Sequence, residues 1–179
     1  MRDVSQTFSQ WAPIYRNRGF WPRPVKPSTK SPPMPRWQLP DSEHGDAVLD
    51  SWVRKYGANG IGLVMGSPIG DGTTLGAFDV DRDEYHELAK VLLRNPTCGR
   101  VGQKGAVYFV RVSPAVHGNP GFRVEGDAGK KWGKVAECLF SKKFCVIPPT
   151  IHPMTNVPYR WIGTPLHDMD LLQLPLIGE

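Results

Sequence analysis

Leu75-Gly76-Ala77-Phe78-Asp79-Val80-Asp81 is an apolar run that ends in two carboxylates separated by one residue. Read as a strand, its side chains alternate between faces, so Asp79 and Asp81 point the same way from the end of a buried element. Like charges held this close repel each other and shift one another's pKa. A divalent cation relieves that repulsion, and an all-oxygen site suits Mg²⁺ or Mn²⁺. The plainer reading is a solvated strand end that caps the following helix.

Outward from this run, the pattern predicts a mixed fold. Gly66 to Gly72 form a turn, preceded by a short buried strand over Ile61 to Met65. Val48, Leu49, Trp52, Val53 and Tyr56 follow helical spacing from about Gly45, with Gly57 as the stop. Residues 22 to 40 carry seven prolines and read as extended or irregular chain. Residues 4 to 17 predict a first helix with Phe8, Trp11 and Tyr15 on one face, in which Pro13 sits awkwardly. Downstream, Asp83 to Arg94 predicts a helix with Tyr85, Leu88, Val91 and Leu92 facing inward. Strands follow at Ala106 to Val112, Phe122 to Glu125, Lys134 to Phe140, Phe144 to Pro148 and Tyr159 to Ile162. The sum is an α+β fold, an antiparallel sheet with helices on one face. Residues 166 to 179, with leucines at 171, 172 and 174, read as a docking helix or a linker.

The 179 residues suffice for one domain, or a compact pair of subdomains, with a sizeable core, and no apolar run reaches the length of a membrane span. With no apolar leader and three cysteines in no C-x-x-C pattern, the expectation is a soluble cytoplasmic protein with reduced thiols. The formal charge of +5 is uneven, since residues 1 to 40 hold seven Lys or Arg against one acid and the remainder fifteen against sixteen. In that segment Arg16, Arg18, Arg23, Lys26, Lys30 and Arg36 alternate with Trp11, Tyr15, Phe20, Trp21 and Trp37. Such a mixture suits phosphate contact and base stacking; the alternative is a basic tail whose aromatics pack on the core.

Two further segments carry chemistry. Glu137 lies among apolar neighbours in Lys134-Val135-Ala136-Glu137-Cys138-Leu139-Phe140 and needs a partner there. If its strand neighbours the one bearing Asp79 and Asp81, three carboxylates converge on one or two metal ions, the arrangement of in-line phosphoryl or nucleotidyl transfer. Val146-Ile147-Pro148-Pro149-Thr150-Ile151-His152-Pro153 ends a strand at two prolines and then presents a hydroxyl and an imidazole, as at a pocket rim. His44, His86, His117 and His167 have no metal-like spacing and read as structural or surface residues.

The ordered set Tyr15, Gly19, Pro24, Lys30-Ser31-Pro32, Trp37, Asn59-Gly60-Ile61-Gly62-Leu63, Gly66, Asp79-Val80-Asp81, Glu137, Pro148 to Pro153 and Tyr159-Arg160-Trp161 resembles the bifunctional primase-polymerase (prim-pol) domain. This family belongs to the archaeo-eukaryotic primase superfamily and is common in phages and plasmids; the resemblance runs from about residue 10 to 163. It implies an RRM-like antiparallel catalytic sheet flanked by a smaller amino-terminal α/β unit, together forming a catalytic domain over residues 1 to 165. It also implies template-directed synthesis of nucleic acid from nucleoside triphosphates on a single-stranded DNA template, with Mg²⁺ or Mn²⁺, in domains often joined to a helicase. By this resemblance Asp79, Asp81 and Glu137 are the metal ligands, and Thr150 and His152 line the nucleotide pocket.

The sequence departs from the family where many members have a His before the strand Val107-Tyr108-Phe109, because Ala106 stands there. The segment Arg100 to Ala106 instead carries Arg100 and Lys104, both cationic near neutrality, and Arg grips phosphate oxygens in pairs. Arg100 and Lys104 are therefore expected on the incoming triphosphate, with Lys30 as the amino-terminal contact to template or nucleotide. Three alternatives stay open: a domain whose missing His has cost it catalysis, a strand-binding module without chemistry, and a metal-dependent nuclease.

Overall fold

A computed structural model describes residues 7–124 and 133–178. The expected helix start at residues 4 to 6, and Glu125 at the end of an expected strand, lie outside the described residues. Helix α1 (Thr7–Asn17) precedes strand β1 (Pro22–Val25), helices α2 (Asp41–His44) and α3 (Asp46–Tyr56), and strands β2 (Gly60–Val64) and β3 (Thr74–Val80). Helix α4 (His86–Leu92) then leads to β4 (Cys98–Val101), β5 (Ala106–Val112), β6 (Gly121–Val124), β7 (Gly133–Leu139), β8 (Phe144–Ile147), β9 (Arg160–Gly163) and β10 (Leu176–Ile177). The fold is α+β and its larger sheet is mainly antiparallel, in the order β6-β7-β3-β5-β4-β9, with β10 added parallel to β5.

A second, three-stranded sheet, β1-β2-β8, packs against the first. Its edge strand is built from Pro22-Arg23-Pro24-Val25, and an edge is where two missing N–H groups cost least. Glycine is needed at position 62 of β2 because the Phe144 ring of β8 lies where a side chain would project. Ile61, Leu63, Cys145 and Ile147 from this sheet join Leu75, Ala77, Val107 and Phe109 from the large one in a shared core. Phe8, Ala12 and Tyr15 of α1 and Leu49 and Trp52 of α3 complete it. The first turn of α1 is tied to the chain beyond α3, where Phe8 N–H and Ser9 N–H donate to the Asn59 and Gly57 carbonyls (2.9 and 3.1 Å).

The sequence expectations need four corrections. Helices cover both faces of the large sheet, since α4 packs opposite α1 and α3 through Ala89 and Leu93. Its phase also differs: Leu88, Val91 and Leu92 are exposed, because the chain first makes a 3₁₀ turn at Asp83–Tyr85 and small Ala89 allows close approach to the sheet. Residues 166 to 178 form neither docking helix nor linker, for Leu166, Met169, Leu171 and Leu174 are buried in the main core and β10 pairs with β5. Much of the amino-terminal basic segment is structural as well. Trp11, Tyr15 and Phe20 belong to the core, Arg16 pairs with Asp41, Asp46 and Asp50, and Arg18 donates to the carbonyls of His167 and Met169.

Arg23 is the extreme case. Its side chain is 0 % exposed and donates to Asp41 Oδ1 (2.6 Å) and to the Pro22, Trp37 and Leu39 carbonyls. The guanidinium thereby fastens β1 to the irregular chain that follows. Breaking one side of a buried pair leaves charge and carbonyls without partners, at a cost of about 3–5 kcal/mol. Arg23→Met is therefore expected to lower unfolding stability in urea by about 3 kcal/mol or more. Arg23→Lys is expected to recover little of that, since an ammonium lacks the fork that reaches four acceptors.

Candidate active site

The site follows from strand register. β7 pairs with β3 so that Glu137 stands opposite Asp79, and β5 places Val107 on the other side of Asp79. Arg100 of β4 stands opposite Val107, and Trp161 of β9 opposite Arg100. Directly paired residues share a face, so Trp161, Arg100, Val107, Asp79 and Glu137 form one row across five strands. The row lies on the face whose Leu75 and Ala77 are sealed under the small sheet. Asp79 and Asp81 emerge where that cover ends, and Asp81 N–H still donates to Val135 O (2.9 Å).

A cleft of about 130 Å³ opens here, lined by Lys30, Asp79, Val80, Asp81, Arg100, Gly102, Gln103, Lys104 and His152. Six of the expected residues, Lys30, Asp79, Asp81, Arg100, Lys104 and His152, thus converge from four separate segments. A larger cavity of about 500 Å³ lies between α4 and β10, but among the described residues Arg94 is its only charged lining residue, whereas titratable groups gather at the smaller cleft. Thr150 is not brought to the cleft. Its buried hydroxyl donates to Ile61 O (2.8 Å) and accepts from Ile61 N–H (2.6 Å), which fastens the segment carrying His152 to β2. Ala106 faces the opposite core, with Val80 and Tyr108, so no side chain at that position reaches the cleft in this register.

The charges are arranged in distinct ways. Burial pushes the Asp79 carboxyl above its ordinary pKa; Arg100 and Lys134 oppose this, while Asp81 and Glu137 reinforce it. Burial would raise Glu137 too, but hydrogen bonds from Lys134 and Lys143 outweigh it and hold that carboxyl below its usual range. The Arg100 guanidinium is fixed over the Tyr159 ring at 4.7 Å, and Tyr159 meets His152 edge-on at 5.1 Å. Gly102 is required beside this stack, since a Cβ there would come within 2.7 Å of Tyr159 and 3.1 Å of His152. His152 Nδ1 accepts the Met154 N–H (3.2 Å), and burial, with Lys30 and Arg100, lowers the imidazole pKa. The ring is therefore neutral near pH 7 and carries its proton on Nε2.

A model of the family described as bifunctional DNA primase/polymerase, N-terminal, matches residues 12–176. The chain belongs to this family. No curated protein matches it in a sequence comparison. As a prim-pol domain it is a primase/polymerase nucleotidyltransferase, acting on nucleotides and DNA. Among the described residues no helix is long and apolar enough to cross a membrane.

Prim-pol enzymes generally use divalent metals, and the donor chemistry here fits a hard cation. All three carboxylates offer oxygen, and Asp81 Oδ2 is buried without a hydrogen bond. Among the described residues no three acidic, His or Cys groups gather around one point. The cation lying between Asp81 and Glu137 is instead the Lys134 ammonium, 3.4 Å from Asp81 Oδ2 and 2.5 Å from Glu137 Oε2. Lys134, Lys143 and Tyr159 were not singled out from sequence as site residues. Only Tyr159 carried a signal, in the resemblance to Tyr-Arg-Trp.

The two paired carboxylates carry opposite pH signs. A raised folded pKa at Asp79 means that its contribution to stability is present below the unfolded value, about 3.9, and is lost as pH rises through the folded one. The lowered pKa of Glu137 contributes stability above the unfolded value, about 4.3, and loses it as pH falls through the folded one. In metal-free buffer at pH 7, Asp79→Asn is expected to raise the melting temperature and Glu137→Gln to lower it. Both differences should shrink toward pH 3. Equal signs for the two variants at pH 7 would count against this electrostatic account.

Proposed function

We propose that this chain extends or starts strands on single-stranded DNA templates from nucleoside triphosphates, with Asp79, Asp81 and Glu137 holding Mg²⁺ or Mn²⁺. The observation that carries the reading is the convergence of two carboxylates and four basic side chains from four segments in one cleft. The bound ions would supply activation of a 3′-hydroxyl and neutralisation of phosphate charge.

The remaining work falls to the chain's own groups. Arg100, held by stacking on Tyr159, presents a pre-positioned guanidinium to the triphosphate, so little reorganisation accompanies charge development on the phosphates. Lys104 and Lys30 are exposed, line the same cleft as the acids and add positive charge there. His152, neutral with its proton on Nε2, donates a hydrogen bond to a phosphate or sugar oxygen. Thr150 acts at one remove, by holding the His152 segment against β2. Unwinding of duplex DNA is left to a helicase partner, and three buried free thiols suit a cytoplasmic setting.

Incorporation of labelled nucleotide on primed and unprimed single-stranded templates, with Mg²⁺ or Mn²⁺, tests the reading. Asp79→Asn and Asp81→Asn are each expected to reduce extension by roughly 10² or more. Arg100→Lys is expected to raise the nucleotide KM about tenfold, because paired contacts to phosphate are lost. Full extension by Asp79→Asn would sink the assignment. Product without primer would make the enzyme a primase as well as a polymerase.

A further inference from the structure

Lys134 reaches the acidic face only through a defect in β7. In a regular strand, residues three apart face opposite sides, so Lys134 and Glu137 should diverge. The β6–β7 pairing shifts instead: Phe122 stands opposite Ala136, Arg123 opposite Lys134, and Val135 has no partner. That extra residue is a β-bulge, and it turns Lys134 onto the face of Glu137. The same residue anchors the metal motif, since the Val135 carbonyl accepts the Asp81 N–H. One irregularity thus holds both a carboxylate and the cation beside it.

The cations around the cluster differ in how freely they can leave. Arg100 is stacked on Tyr159. Lys143 touches Glu137 Oε1 (2.7 Å), and no ion pair links it to Asp81. Lys134 bridges Asp81 and Glu137, yet 38 % of its side chain is exposed, so its stem can swing outward without breaching a core. We propose that Lys134 is a resident counter-ion, occupying the position between Asp81 and Glu137 that a divalent ion takes and yielding it when the ion binds. This rests on the metal-site reading above. Two effects follow: Lys134 relieves carboxylate repulsion in the metal-free protein, and it competes with the metal.

The test uses Lys134→Met, which keeps the aliphatic stem, and Lys134→Gln, which keeps a neutral donor to Glu137 should the Met variant fold poorly. Mn²⁺ binding is titrated by the electron paramagnetic resonance of free Mn²⁺, beside melting curves in EDTA and in Mn²⁺. Either variant is expected to bind Mn²⁺ roughly tenfold more tightly than the unmodified chain, as loss of one competing charge at a half-exposed site implies. Lys134→Met is also expected to melt lower in EDTA and to gain more from Mn²⁺. A merely structural lysine would lower melting equally in both media. Unchanged or weaker Mn²⁺ binding in both variants overturns the counter-ion role alone. Absence of measurable Mn²⁺ binding in every form, the unmodified chain included, overturns the metal site itself.

Discussion

The antiparallel register of β3 between β5 and β7 is the constraint on which the site depends. Asp79 opposite Glu137, with Val107 and Arg100 completing the row, is a consequence of backbone pairing before it is one of side-chain chemistry. A slip of one residue would turn Asp79 toward α4 and bring Phe78 to the cleft. Burial guards against that slip. Leu75 and Ala77 belong under the small sheet, and Val80 belongs to the core beneath α4. The apolar half of β3 therefore sets the direction of its acidic end.

The second layer of control is electrostatic, and the cations have different jobs because they are held differently. Arg100 is immobilised by an aromatic face, which keeps its guanidinium pre-positioned at the cleft. Lys134 and Lys143 sit on flexible stems and satisfy Glu137 where burial alone would disfavour its charge. Asp79 is left with its ionised form disfavoured, and this local instability is what an incoming cation can relieve.

Much of the framework was legible from residue pattern. Largely apolar runs at Ala106 to Val112 and Lys134 to Phe140 marked strands that the structure contains, and i, i+3 spacing of Leu49 and Trp52 marked the inner face of α3. The phase of α4 was not legible, because Leu88, Val91 and Leu92 make a more apolar stripe than Ala89 and Leu93, which face the sheet. Tight packing of a small residue against a sheet leaves little trace in hydrophobicity. The amino-terminal arginines misled for a related reason. Composition cannot distinguish a guanidinium that meets solvent from one like Arg23, enclosed by four acceptors.

Residue identity and spacing alone set the kind of chemistry present: two carboxylates on one face of a buried strand, a third in another strand, and cations between them in the chain. Local spacing suffices for that, since side-chain alternation is a property of any extended backbone. Which of these groups meet follows from the packing of the folded chain. It paired β7 with β3, brought Lys30 and His152 to the cleft that holds the two aspartates, committed Thr150 to Ile61, and used a bulge at Val135 to place Lys134 between two carboxylates. These are contacts between residues far apart in the chain, or departures from regular pairing. They depend on which surfaces bury each other, and no local pattern encodes that.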